Sequence, residues 1–192
     1  MRLEPAELVL IRHAPAQTEG RLAGRRDVPA MLLDAKALAR GRAALADVRQ
    51  VVTSPALRCR QTAKALFPKR DVLQDARLWE QDFGLEEGMA FGDLPDLGPL
   101  SRDELAARRP PNGESFADMA ARTMPALDAL AQRAEAHGPL AVVAHAGTVR
   151  AALALALGTV PAALGFEIAP LSVTRLRCLP GTFSIISVNQ EL

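Results

Sequence analysis

The feature that most constrains this chain is an alternation of short apolar runs with longer stretches of helical character. The runs are Leu8–Ile11, Gln50–Thr53, Leu140–Ala144, Leu171–Leu179 and Phe183–Val188, with Asp71–Leu78 a weaker candidate. Between them lie helix-like segments at Asp34–Asp47, Pro55–Phe67, Ser101–Arg109, Ser115–Ala136 and Thr148–Leu157. In the first, Leu38 and Leu45 stand seven apart between alanine-rich flanks, as one buried helical face requires. Pro125 predicts a kink or an interruption in the long helix. Strands alternating with helices predict an α/β three-layer sandwich, a mostly parallel central sheet flanked by helices. Gly24–Pro29 and Trp79–Pro99 read as loops, and the second is of a length that is usually functional or mobile. It carries Glu80, Asp82, Glu86 and Glu87 beside Trp79, Phe83, Met89 and Phe91.

A chain of 192 residues without repeat or polar linker reads as one domain, 1–192. With Lys+Arg 23 against Asp+Glu 22, the bulk charge argues against nucleic acid as a partner. No apolar run approaches the roughly 18–20 residues that cross a bilayer, so no membrane partner is expected. The N-terminal stretch lacks a basic region followed by an apolar run, so no signal peptide is read. Cys59 and Cys178 lack zinc or redox spacing. The expected location is the cytoplasm. Phe166–Pro170 and the C-terminal strands suit a sheet edge or a dimer contact, leaving monomer or homodimer open.

In open α/β sheets, ligands bind beyond the carboxyl ends of the strands. Arg12-His13 follows the first run, Ser54-Pro55-Ala56-Leu57-Arg58 the second, and His145-Ala146-Gly147-Thr148 the run Leu140–Ala144. Two of the three histidines thus fall where a parallel sheet gathers side chains. His137, in a polar turn after a helix, reads as a partner of the helix dipole. Ser54 suits an N-cap and Pro55 a first helical position, which puts Arg58 in or next to the first turn. A cation there is unfavourable by roughly 0.3–1 kcal/mol at exposed sites, and a bound anion reverses the sign. Arg150, similarly placed after Thr148, is expected to serve packing or a surface contact.

The pattern suggests phosphate chemistry, in which catalysis is mostly positioning and electrostatic stabilisation. Arg12 and Arg58 offer planar, permanently charged forks that match phosphate oxygens. A histidine between them has its protonated form disfavoured, and the neutral ring is a competent nucleophile. A second histidine can give a proton or hydrogen bond to a phosphoryl oxygen. An acid must still protonate the leaving alkoxide and later deprotonate water, and the loop Trp79–Gly88 is the one place with several candidates.

Taken in order, Arg12-His13-Ala14, Ser54-Pro55-Ala56-Leu57-Arg58, Glu80-Gln81-Asp82-Phe83-Gly84 with Glu87-Gly88, Gly113-Glu114-Ser115 and His145-Ala146-Gly147 resemble the histidine phosphatase superfamily, the phosphoglycerate-mutase-like group. Each motif alone is weak, but the ordered set is specific and spans about Leu8 to Leu157. The resemblance implies a nucleophile at His13, phosphate-holding arginines at Arg12 and Arg58, a second histidine at His145 and an acid/base at Glu80, with Asp82 and Glu86 as alternatives. It implies no metal and no organic cofactor.

The first motif of the family commonly continues with Gly-Glu-Ser/Thr, where this chain has Ala14-Pro15-Ala16. The missing phosphate-side hydrogen bond is assigned to Gln17 or Thr18, and Gly147 is counted with the substrate-binding residues. Gly24–Pro29 resembles the substrate-side loop of small family phosphatases, which makes Arg25 a candidate leaving-group contact or a surface arginine. Only Met89–Asn112 separates Gly88 from Gly113, shorter than the insertion of the family's mutases. Residues 79–112 then form a small cap, which favours water over return transfer. The compact form resembles α-ribazole-5′-phosphate phosphatases, and the expected partner is a small phosphate ester. The alternatives are a protein phosphohistidine phosphatase, a phosphoglycerate-mutase-type phosphotransferase and a non-catalytic phosphate-binding protein. No G-x-G-x-x-G follows the first strand and no G-x-S-x-G occurs, against a Rossmann oxidoreductase or a serine hydrolase.

Overall fold

A computed structural model describes residues 3–32 and 35–192. Six strands form one sheet: β1 (Glu7–Arg12), β2 (Gln50–Thr53), β3 (Val72–Gln74), β4 (Leu140–Ala144), β5 (Ser172–Leu179) and β6 (Thr182–Glu191). Their order across the sheet is β3-β2-β4-β1-β5-β6. The first four run parallel, while β5 is antiparallel to β1 and β6 to β5. The α-helices are α1 (Ala35–Ala44), α2 (Leu57–Leu66), α3 (Arg102–Ala107), α4 (Phe116–His137), α5 (Ala146–Leu157) and the short α6 (Val160–Ala163).

Two separate cores explain why the central strands are apolar throughout. Side chains alternate across a strand, so a strand covered on both faces needs no polar positions. Leu8, Leu10, Leu140, Val142 and Val52 pack with α4 and α5. Val9, Ile11, Ala141, Val143 and Val51 pack with Leu38 and Leu45 beside α2, the face foreseen from their seven-residue spacing. This is the expected α/β sandwich. At the edge, the burial of β6 alternates along much of its length, as a half-covered strand should.

Several local expectations change. The predicted start of the first helix, Asp34, lies outside the described residues, and α1 ends at Ala44, before Asp47. Pro125 does not interrupt α4, which runs continuously from Phe116 to His137 behind a capping box of Ser115 and Asp118. The helical packing of Ala126, Leu127 and Leu130 against the sheet continues past the proline and outweighs the one backbone bond it lacks. The weak run after Asp71 is a strand for three residues only. Asp75 then accepts from the Arg77 N–H and starts a 3₁₀ turn. Ser54 is not the cap of α2: Ala56 holds that position without a side-chain cap. The Leu57 N–H is instead taken by the Asp27 carboxylate at 2.5 Å. A carboxylate of the protein, on the Gly24–Pro29 loop, thus takes one of the N–H groups at that helix end.

Candidate active site

β2, β4 and β1 are neighbours, so their carboxyl ends bring Ser54, His145 and Arg12-His13 to one place. Backbone bonds from His13 N–H to the Ala144 carbonyl and from Ser54 N–H to the Val143 carbonyl hold these ends in register. Arg58 reaches in from the first turn of α2, only 2% exposed.

The His13 ring is held at both nitrogens. Its Nδ1 lies 2.7 Å from the Ala14 carbonyl, a group that can only accept, so Nδ1 carries the proton. Ala14 is fixed in turn by Thr62 Oγ1, which accepts its N–H at 3.0 Å. The other nitrogen, Nε2, is left with its lone pair and accepts from Arg58 Nε at 3.2 Å. Burial, reinforced by the charges of Arg58 and Arg12 against a smaller opposing effect of the Ala14 carbonyl, pulls the His13 pKa down to about 3. The ring is therefore neutral at ordinary pH.

Arg58 spends its remaining donors on the loop and on the second histidine. Nη2 donates to the Gly24 carbonyl at 2.7 Å, and Nη1 to the Arg26 carbonyl at 2.9 Å. Nη2 also lies 3.3 Å from His145 Nδ1. His145 is fully buried, and burial followed by the charges of His13 and Arg58 holds it well below the usual imidazole range. Its Nε2 is 2.8 Å from Ser54 Oγ, which also accepts the Ala56 N–H at 3.4 Å, one residue before α2 begins. The two imidazoles meet edge to face, 5.3 Å between centroids, and Trp79 stacks on the far side of His145. His145 therefore lies behind Arg58 and orients it. The neighbouring Cys59 thiol, 3.5 Å from His145 Nε2, is pushed up by burial and stays protonated.

A cleft of about 390 Å³ opens over this floor, lined by Arg12, His13, Arg58 and Glu80 and flanked by Thr18, Arg21 and Phe91. Arg12 donates through Nη1 to the Ile168 carbonyl at 2.5 Å, while its buried Nε has no partner among the described residues. Of the two candidates for the missing phosphate-side hydrogen bond, Thr18 lies on the cleft wall. Gln17 is exposed and uses its backbone N–H on the Pro29 carbonyl. Arg21 and Phe91 are cleft residues that no motif signalled.

Glu80 is placed by backbone contacts. Its carboxylate accepts from the Gln81 N–H at 3.1 Å and lies 3.5 Å from the Gly147 N–H. A Cβ on Gly147 would strike that carboxylate and sit 2.8 Å from Met119 Cε, so the glycine makes room for the acid. Arg122 donates to the carbonyls of Arg77, Trp79 and Glu80 and to the Glu114 carboxylate, clamping the segment from α4. Burial alone would raise the Glu114 carboxyl, but Arg122, the Asp82 N–H and Arg25 together hold it below its ordinary value. Arg25 lies over the Trp79 ring, donates to the Glu80 carbonyl at 3.2 Å and pairs with Glu114 at 3.5 Å. The structure therefore places Arg25 in this clamp rather than on the cleft lining.

The alternative acids have other partners. Asp82 accepts from the Gly84 N–H at 2.8 Å within its own turn. Glu86 is buried in a two-pronged ion pair with Arg108. Among the described residues, no cluster of three or more His, Cys, Asp or Glu side chains is arranged to hold a metal, and no helix is long and apolar enough to cross a membrane.

The sequence model of the histidine phosphatase superfamily (branch 1) matches residues 8–191. A bifunctional protein of Mycobacterium tuberculosis is 34% identical over 151 residues, 74% of this chain and 41% of that protein. An uncharacterized protein of Mycobacterium bovis matches to the same extent. The chain thus spans about 41% of the length of these curated relatives. Among solved structures, a mycobacterial glucosyl-3-phosphoglycerate phosphatase complexed with VO3 superposes with a TM-score of 0.84 at 25% identity, covering 96% of this chain and 99% of the other. An α-ribazole phosphatase of Shigella flexneri shares the fold at a TM-score of 0.82 and 20% identity, over 96% of each chain.

Proposed function

This chain belongs to the histidine phosphatase superfamily (branch 1), and we propose that it hydrolyses a small phosphate monoester through a covalent phosphohistidine on His13. The observation that carries the reading is the state of the His13 ring. Its Nδ1 proton is committed to the Ala14 carbonyl, so Nε2 keeps its lone pair, which meets only the Arg58 Nε–H, in a residue that lines the cleft.

With the phosphoryl group bound between Arg12 and Arg58, His13 Nε2 attacks phosphorus as the ester P–O bond breaks. The leaving oxygen takes its proton from the Glu80 carboxyl group. Water then attacks the phosphohistidine and delivers its proton to Glu80. The P–N bond breaks, and His13 and protonated Glu80 are regenerated. Arg12 and Arg58 bear the charge that builds on the equatorial oxygens. His145 keeps Arg58 oriented and is close enough to His13 to give a hydrogen bond to a phosphoryl oxygen after a modest ring movement. The whole chain is read as one domain with residues 79–112 as its cap. The cleft of about 390 Å³ suits a metabolite-sized ester, with α-ribazole-5′-phosphate among the substrates to try.

The test is hydrolysis of a chromogenic aryl phosphate in excess EDTA by the native protein and by His13→Ala. Turnover that persists in EDTA and vanishes in the variant supports the reading, as does an acid-labile phosphoryl adduct trapped on His13. Equal rates in the two proteins overturn it.

A further inference from the structure

The Glu80 side chain has a cleft on each side. Beyond it lies a second one of about 260 Å³, which shares Glu80 and Phe83 with the first. Its walls are apolar, with Phe116, Leu105 and Leu164 among them, and two arginines reach it, Arg108 and Arg150. Arg108 is already committed to Glu86. Arg150 is not: its Nε donates to the Phe166 carbonyl at 3.0 Å, and neither Nη has a protein partner or a paired carboxylate among the described residues. Arg12 is anchored to the same segment, on the Ile168 carbonyl. Burial lowers the Arg12 pKa, Glu80 opposes this, and the charge of Arg150 adds to the lowering. The protein therefore holds a half-buried cation on the wall of an apolar recess, with Glu80 as the carboxylate on that wall among the described residues.

Resting on the reading of His13 and Glu80 above, we propose that the second cleft receives the alcohol portion of the substrate and that Arg150, on its wall, binds an anionic group of that alcohol. The substrate class is a phosphate monoester whose alcohol carries an apolar body ending in a carboxylate or a second phosphate. Such a ligand places one anion between Arg12 and Arg58, the scissile oxygen at Glu80 and the other anion on Arg150. This arrangement supplies an acceptor for the Arg150 Nη donors, which have no partner among the described residues.

Binding of non-hydrolysable phosphonates tests the recess without chemistry. Benzylphosphonate, 4-carboxybenzylphosphonate and benzene-1,4-bis(methylphosphonate) are titrated calorimetrically against the native protein and Arg150→Gln. In the native protein the second anion tightens binding about tenfold or more, and Arg150→Gln abolishes that advantage. A larger gain for the carboxylate or for the second phosphonate identifies which terminal anion the recess prefers. Equal binding of benzylphosphonate and both dianionic probes to the native protein, or an advantage that survives Arg150→Gln, overturns the inference while leaving the phosphatase reading intact. Failure of every phosphonate to bind removes the phosphate site and both proposals with it.

Discussion

The floor of the cleft is made of side chains locked against one another, whereas its Glu80 wall is made of loop backbone locked by side chains from elsewhere. On the floor, His13, Arg58, His145 and Ser54 sit at strand ends or in a first helical turn and are almost wholly buried. On the wall, Arg122 and Arg25 hold Glu80 through its carbonyl, and its carboxylate faces two clefts. Burial on the floor sets protonation states, which a nucleophile needs at every turnover. On the proposed reading, the floor carries the chemistry and the wall meets the alcohol that leaves.

The sharpest way to break this comparison is at the nucleophile. His13→Ala should lower kcat by about 10⁴-fold or more while leaving the circular dichroism spectrum unchanged. Retention of more than a hundredth of the native rate would place the chemistry elsewhere.

Burial of two neutral histidines also makes the floor sensitive to acid. His13 titrates at about 3 in the folded chain and at its ordinary 6.5 when unfolded. His145 is displaced the same way. The unfolded chain then binds more protons than the native one, so stability is fully present above pH 6.5 and is lost as pH falls towards 3. Each proton that only the unfolded chain takes up adds to the decline below pH 6.5. Urea unfolding at pH 7, 6 and 5 should show the decline, with a clearly shallower slope in His13→Ala. A flat profile over that range would mean that these rings are not buried neutral.

Next comes the wall. Gly147→Ala presses a methyl group against the Glu80 carboxylate and Met119. Because small displacements of a catalytic group are costly, kcat should fall about 10²-fold. Phosphonate binding to Arg12 and Arg58 should change far less, and an equal loss in both would show that Glu80 and the floor are not separate parts. The smallest effect is expected for Arg25→Gln, which leaves Arg122 on the Glu80 carbonyl and should cost about threefold to tenfold in kcat. A pH–rate profile would show whether the loss acts through Glu80. No change in rate or profile would leave Arg122 as the sole clamp.

Much of the floor was legible in the chain. Three apolar runs ended in Arg12-His13, Ser54 and His145, and adjacent parallel strands gathered those ends. Ser54 and Pro55 suggest a helix start at that point, but α2 begins at Leu57, and Ser54 Oγ meets the buried His145, 91 residues away in the chain. Asp27, the actual partner of the Leu57 N–H, was hidden for the same reason. On the wall, the ordered motifs singled out Glu80, and its placement beside His13 came with the fold. Glu114 stood in a recognised motif, but nothing in the sequence marked Arg122 as its partner. Arg150 is expected in packing or a surface contact, and its bond to the Phe166 carbonyl agrees with that, but nothing in the sequence shows that it also lines a recess.

By itself the sequence determined the alternation of strands and helices, the strand-end residues and their order, because local periodicity and chain direction suffice for these. Only the tertiary structure decided which proton His13 carries, which residue caps α2, where Arg25 and Arg150 point, and which carboxylate faces the cleft. Those depend on burial and on partners distant in the chain, and a neutral imidazole or an unpaired guanidinium is a property of its surroundings rather than of its position in a motif.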